Sequence, residues 1–146
     1  MSLVSGQRVN GTGRSLYVIG DRVSEAEHNL KTAKGLRGVF LEKNWQAARG
    51  GGYFSYDFKV DPGRPMTLYC TYWGNDAVGR RFTIAVDNKD IWTQVLELNA
   101  PGTFFDVEYL IPHKLTRGRT NVTISFRAPP SSSYAGGIFG CQMLHR

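Results

Sequence analysis

The sequence predicts a single all-β domain, an antiparallel β-sandwich of jelly-roll type with about eight strands. Apolar and polar residues alternate with period two along one run after another, the mark of strands with one buried face. Clusters of Gly, Pro, Asn and Asp end those runs at the spacing of a sandwich or barrel. The chain has 146 residues, 41% hydrophobic and 21% charged, with 12% aromatics and 17 glycines. That is enough to bury one core, and it suits short strands joined by tight turns.

The strands follow in order along the chain. Leu16 to Ile19 is a candidate first strand, although residues 1–19 as a whole read as a lead-in and 20–146 as the sandwich. Ser24 with Glu27 fits a capping box, but no apolar stripe follows, so 24–33 reads as either a short helix or an edge strand. Phe54, Tyr56, Phe58 and Val60 alternate with polar residues until Asp61-Pro62-Gly63 turns the chain. Met66, Leu68, Cys70 and Tyr72 make the next row, ending at Gly74-Asn75-Asp76. Phe82, Ile84 and Val86 follow, closed by Asp87-Asn88-Lys89-Asp90. A strand over 91–98 comes next, then Phe105, Val107, Tyr109 and Ile111, and one helical turn over Pro112 to Thr116. Val122, Ile124 and Phe126 run up to Pro129-Pro130, and Ile138 to Leu144 is the last apolar run.

Charge and composition exclude several classes of function. The net charge is +6, but the basic residues are scattered, with no run and no recognition motif, which argues against nucleic acid. No stretch approaches the ~20 apolar residues of a membrane helix. The opening Met1 to Gly6 has no apolar core, so no signal peptide is expected there. Cys70 and Cys141 are too few for a disulfide scaffold and read as small buried hydrophobes, with pairing between them left open.

Nucleophilic catalysis fails on inventory. His28, His113 and His145 stand in three separate contexts, and no nucleophile elbow or zinc-ligand spacing accompanies them. Gly50-Gly51-Gly52 lacks the Gly-Lys-Ser/Thr that would make it a phosphate loop, and reads as a bend before a strand. Glu25 with Glu27, or Asp76 with Asp87, are carboxylate pairs of the kind glycoside hydrolysis needs, but any β protein of this size offers such pairs. Glu25, Glu27 and a later Asp could supply oxygen ligands to a structural calcium, against the plainer reading of a solvated edge. No cofactor is expected.

Aromatic residues carry the more informative pattern. Trp45, Tyr53, Tyr69, Trp73, Trp92 and Tyr134 fall at strand ends, beside turns, or opposite an apolar row. Sugar rings present C–H faces that pack on aromatic rings, and binding pockets add a few polar groups to such surfaces. Tyr72, Trp73, Asp76 and Arg80 supply both ingredients, with Trp45 and Tyr53 as a second platform. Core packing is the competing fate of each ring.

One ordered set of motifs resembles a known family. It runs Glu27-His28-Asn29-Leu30; Trp45 through Gly51-Gly52-Tyr53-Phe54-Ser55-Tyr56-Asp57; Val60-Asp61-Pro62-Gly63; Thr71-Tyr72-Trp73-Gly74; Phe82-Thr83-Ile84-Ala85-Val86-Asp87; and Gly136-Gly137-Ile138-Phe139-Gly140. Over residues 20–146 it is similar to the C-terminal β-sandwich of bacterial β-L-arabinofuranosidase-like proteins of glycoside hydrolase family 127. That resemblance implies a non-catalytic accessory domain that packs on a catalytic (α/α) barrel, in a parent protein of periplasmic or extracellular location. The family's cysteine nucleophile and zinc-binding cysteines belong to the barrel, so no catalytic residue carries over. The layout also resembles carbohydrate-binding jelly rolls that open with Glu-Ala-Glu, here Glu25-Ala26-Glu27. Where those modules often close with an Asp, this chain has Phe139-Gly140-Cys141-Gln142-Met143, a departure that bears on both their calcium site and their sugar site.

The resemblance therefore leads to interdomain packing, through an apolar patch for which Trp73, Trp92 and Tyr69 are candidates. The alternative is a carbohydrate-binding module with its own aromatic site, taking an oligosaccharide.

Overall fold

The computed structural model describes residues 16–77, 80–131 and 133–145. Its elements are β1 (Leu16–Tyr17), α1 (Arg22–Glu27), β2 (Lys31–Phe40), β3 (Lys43–Lys59), β4 (Met66–Trp73), β5 (Arg81–Val86), β6 (Lys89–Val95), β7 (Phe104–Ile111), a 3₁₀ turn (His113–Leu115), β8 (Asn121–Arg127), β9 (Tyr134–Ile138) and β10 (Gly140–His145). One sheet has the order β9-β3-β8-β5-β6, with β2 also paired to β3, and the other has the order β1-β10-β4-β7. Every pairing is antiparallel. The all-β sandwich read from the alternation is thus the fold.

The period-two rows meet between the sheets. Phe54, Tyr56, Phe58, Phe82, Ile84, Ile124 and Phe126 face Met66, Leu68, Cys70, Tyr72, Tyr109, Ile111 and Met143, all essentially buried. Stacking adds to area burial here, as in the near-parallel pair Phe54–Phe126 at 4.7 Å. Cys70 and Cys141 are direct cross-strand partners in this core and remain thiols, Sγ to Sγ 3.9 Å.

Several expectations need correction. Residues 16–19 are part of the sandwich, not lead-in: Leu16–Tyr17 pairs with β10, and Tyr17 and Ile19 are buried. The remainder of the lead-in, 1–15, lies outside the described residues. The helix starts earlier than Ser24, because Asp21 caps it, its Oδ1 accepting from the Val23 and Ser24 amides. Ser24 instead turns inward, its Oγ accepting from the Val18 amide at 2.9 Å.

The strand expected over 91–98 runs from Lys89 to Val95, because Asp87 and Asn88, both at positive φ, close a two-residue hairpin. The strand expected from Phe54 is a 17-residue β3, and β2 ahead of it completes a long hairpin. The three glycines lie inside β3, where its pairing passes from β9 (46–49) to β8 (53–59). There the Gly51 amide donates to Pro129 at 2.9 Å, with Gly51 at φ +81.

Candidate functional site

At one end of the sandwich the β2–β3 hairpin, the end of β4 with the turn after it, Arg80 and β9 surround a hollow of about 290 Å³. Its lining is Phe40, Trp45, Trp73, Asn75, Asp76, Arg80 and Gly137. Four of the six residues singled out from the sequence, Trp45, Trp73, Asp76 and Arg80, are therefore brought together.

Each is held by the fold around it. Trp45 lies directly opposite Gly38 on the paired strand, and its ring covers the two glycines Gly38 and Gly137. Methyl groups there would lie 2.7 Å from Trp45 Cζ2 and 3.5 Å from Cε3, so the glycines let the indole lie flat against backbone. Trp73 ends β4, with its ring centroid 5.2 Å from Phe40 and 4.9 Å from Phe104. Phe104 continues the aromatic wall to Phe139 at 4.9 Å and carries the Lys43 ammonium over its face.

The polar side comes from the turn after β4. Asp76 donates its amide to the Trp73 carbonyl at 3.1 Å, and its own carbonyl accepts from the Leu98 amide at 3.0 Å. Asn75 Oδ1 accepts from the Gly102 amide at 2.6 Å, which ties its side-chain amide to that loop through the oxygen. Gly74 donates to Thr103 at 2.8 Å. The segment 74–76 is thus clamped to 98–103 and presents its side chains from a fixed backbone.

Arg80 donates from Nη1 to the Gly136 carbonyl at 3.2 Å, and its guanidinium lies 5.4 Å from the centre of the Tyr134 ring. Burial raises the Asp76 carboxyl above the ordinary aspartate range, and the positive charge of Arg80 opposes that rise. The hollow therefore joins ring faces to an acceptor, a donor and an amide. That combination can hold a polyhydroxylated ring, with C–H faces on the indoles and hydroxyls on the polar edge.

Two of the six predicted residues do not belong to it. Tyr72 is fully buried, its hydroxyl 2.7 Å from that of Tyr109, which donates onward to Gln94 Oε1 at 2.8 Å. The alternation that runs Met66, Leu68, Cys70, Tyr72 had already placed it in the core row. Tyr53 is half-buried beside Ala33 and Arg127, past the glycine bend from Trp45, so those two rings form no common platform. Phe40 and Gly137 enter the site without having been singled out, and Asn75 joins it from within the 71–76 segment that the sequence marks as a sugar-site candidate.

Asp76 and Asp87 do not share a site. Asp87 accepts from Arg119 at 3.0 Å and from the Thr123 amide at 2.8 Å, whereas Asp76 lines the hollow. Glu25 is ion-paired with Arg37 and accepts from the Gly20 amide. Among the described residues no group of three acidic, His or Cys side chains is placed to hold a metal ion. A second hollow, lined by Glu27, His28, Asn29, Asp57, Lys59 and Asn121, is polar and has no indole or phenyl wall.

With this geometry in place, comparison with known proteins assigns the chain to a group. It belongs to a family of unknown function (DUF6805), matched over residues 16–144. No curated protein matches it. Among solved structures it is similar to a family 35 carbohydrate binding module from an environmental isolate, with 12% identity, 88% of this chain and 90% of that one covered, and a TM-score of 0.65. A family 35 module from Clostridium thermocellum matches at 12% identity over 88% of this chain and 95% of that one, TM-score 0.63. A family 6 module from Clostridium cellulolyticum, in complex with xylose, matches at 12% identity over 77% and 88%, TM-score 0.54. At such identities the likeness is one of fold.

Proposed function

We propose that this DUF6805 domain is a carbohydrate-binding module whose site is the hollow between Trp45, Trp73, Asp76 and Arg80. The observation that carries the reading is the convergence of two indoles and Phe40 with a carboxylate, a guanidinium and an amide in one hollow on a clamped backbone. The likeness in fold to modules described as carbohydrate-binding supports it. In this reading the domain performs no chemistry; it holds a glycan for an enzyme elsewhere. Its motif resemblance to the C-terminal sandwich of family 127 glycoside hydrolases supports a parent protein that carries a catalytic (α/α) barrel.

Interdomain packing has less behind it. It needs a contiguous apolar patch, yet Trp92 stands on a different sheet from Tyr69 and Trp73. Trp73 lines the hollow at the sandwich end, and Tyr69, on the four-stranded sheet, is tied to Glu108 at 2.5 Å. Trp92 is exposed on β6, the edge strand of the other sheet.

The test is titration of the domain with arabinose-, galactose- and xylose-containing oligosaccharides, following tryptophan fluorescence. Saturable quenching that disappears in Trp73→Ala and persists in Trp92→Phe is the expected result. A flat response across the panel from folded protein would remove this reading.

A further inference from the structure

The sign and placement of charge in the hollow say which kind of sugar it takes. With a net charge of +6, the chain as a whole favours acidic glycans. The hollow does not share that excess. The charged side chains in its described lining are Arg80 and Asp76, one of each sign.

Arg80 is not presented as an unoccupied anion receptor. Its Nη1 is spent on the Gly136 carbonyl and its guanidinium carbon lies over the Tyr134 ring, while Asp76 stands within its electrostatic reach. Burial already disfavours the ionised form of Asp76. An arriving uronate would set a second carboxylate in the same small space, with one guanidinium to serve both. A neutral sugar meets no such conflict. A hydroxyl both donates and accepts, so adjacent hydroxyls can donate to the Asp76 carboxylate and accept from the remaining Arg80 N–H groups and from Asn75 Nδ2. At about 290 Å³ the hollow sits at the small end of ligand pockets, which limits the bound portion to about one ring.

We propose that the site takes a single neutral sugar residue and discriminates against the corresponding uronate, with Asp76 as the residue that sets the discrimination. This rests on the carbohydrate reading above. The experiment is calorimetric titration near neutral pH with matched pairs, galactose against galacturonate and glucose against glucuronate, and with their disaccharides.

The neutral member of at least one pair is expected to bind more tightly by about tenfold or more, the scale of a like-charge juxtaposition. Asp76→Asn is expected to narrow that gap, with Asp76→Ser as the second variant should the first not fold. Equal or tighter binding of the uronates by the wild-type domain overturns the inference and leaves the carbohydrate reading standing. So does a gap that both folded variants leave unchanged. If no neutral or acidic sugar binds to folded protein, the carbohydrate reading itself fails and takes this inference with it.

Discussion

The ring of Phe40 meets that of Trp73 edge-on at 5.2 Å, and the two residues come from different sheets. Phe40 ends β2 on the six-stranded side and Trp73 ends β4 on the four-stranded side. The hollow is thus a seam between the layers, open at the sandwich end. Removing either ring opens one wall without touching the core. Phe40 is 39% exposed, so Phe40→Ala is expected to cost little stability, roughly the 0.5–1.5 kcal/mol of an aromatic pair. It should weaken sugar binding by about tenfold, on the same pair energy. Urea denaturation beside fluorescence titration separates the two effects.

Asp76 gives the site a pH dependence with a definite sign. Burial raises its carboxyl above the ordinary range, so it takes up a proton at higher pH than an exposed aspartate does. If the carboxylate accepts from sugar hydroxyls, affinity is full above the raised pKa and falls as pH drops through it. Asp76→Asn should flatten that profile. Stability responds in the opposite direction. The folded state holds the proton more tightly than the unfolded one, so this contribution is fully present below the unfolded pKa and is lost as pH rises through the folded value. Titrations at several pH values, with thermal unfolding at each, check both signs.

Tyr72 offers a control on where the site lies. Because Tyr109 donates to Gln94, the Tyr72 hydroxyl donates to Tyr109, which makes a buried chain of three side chains. Tyr72→Phe removes the first donor and should destabilise the domain by about 1–2 kcal/mol. Sugar affinity should not change, since the ring faces the core and not the hollow. A loss of affinity at unchanged stability would return Tyr72 to the site. Equilibrium unfolding and titration of the same variant decide it.

How far the sequence reveals this molecule depends on which strands are buried on one face. β4, β5, β7 and β8 each have a core row, and their alternation is plain. β2 is exposed along nearly all of its length, so no row marks it. Its hairpin closes on Leu41 and Glu42, both at positive φ, without the Asn or Gly that normally announces such a turn. Phe40 sits on that strand and was missed with it. Trp73, Asp76 and Arg80 were legible because an aromatic strand end runs into a polar turn. Tyr72 was over-read because tyrosine suits both a core row and a sugar platform. Tyr53 was paired with Trp45 because nothing in three consecutive glycines says that β3 changes partners there.

Gly74 links the backbone clamp to the site most directly. A methyl group at this position would lie 1.7 Å from the Ala100 carbonyl oxygen and 2.5 Å from that of Thr103. Both obstacles are backbone, so no side chain can rotate out of the way, and segment 74–76 must separate from 98–103. Gly74→Ala is therefore expected to cost about 1–3 kcal/mol, as other overpacked sites do. It should also reduce sugar binding well beyond what the stability change explains, because Asn75 and Asp76 move with the turn. Gly63→Ala is the matched control: its methyl would meet only Asp61 Oδ1, at an ordinary 3.6 Å, and both stability and binding should stay near wild type. Should Gly74→Ala lose stability yet keep full affinity at a temperature where it is folded, the turn's side chains are not part of the site, and the rings alone would have to account for binding.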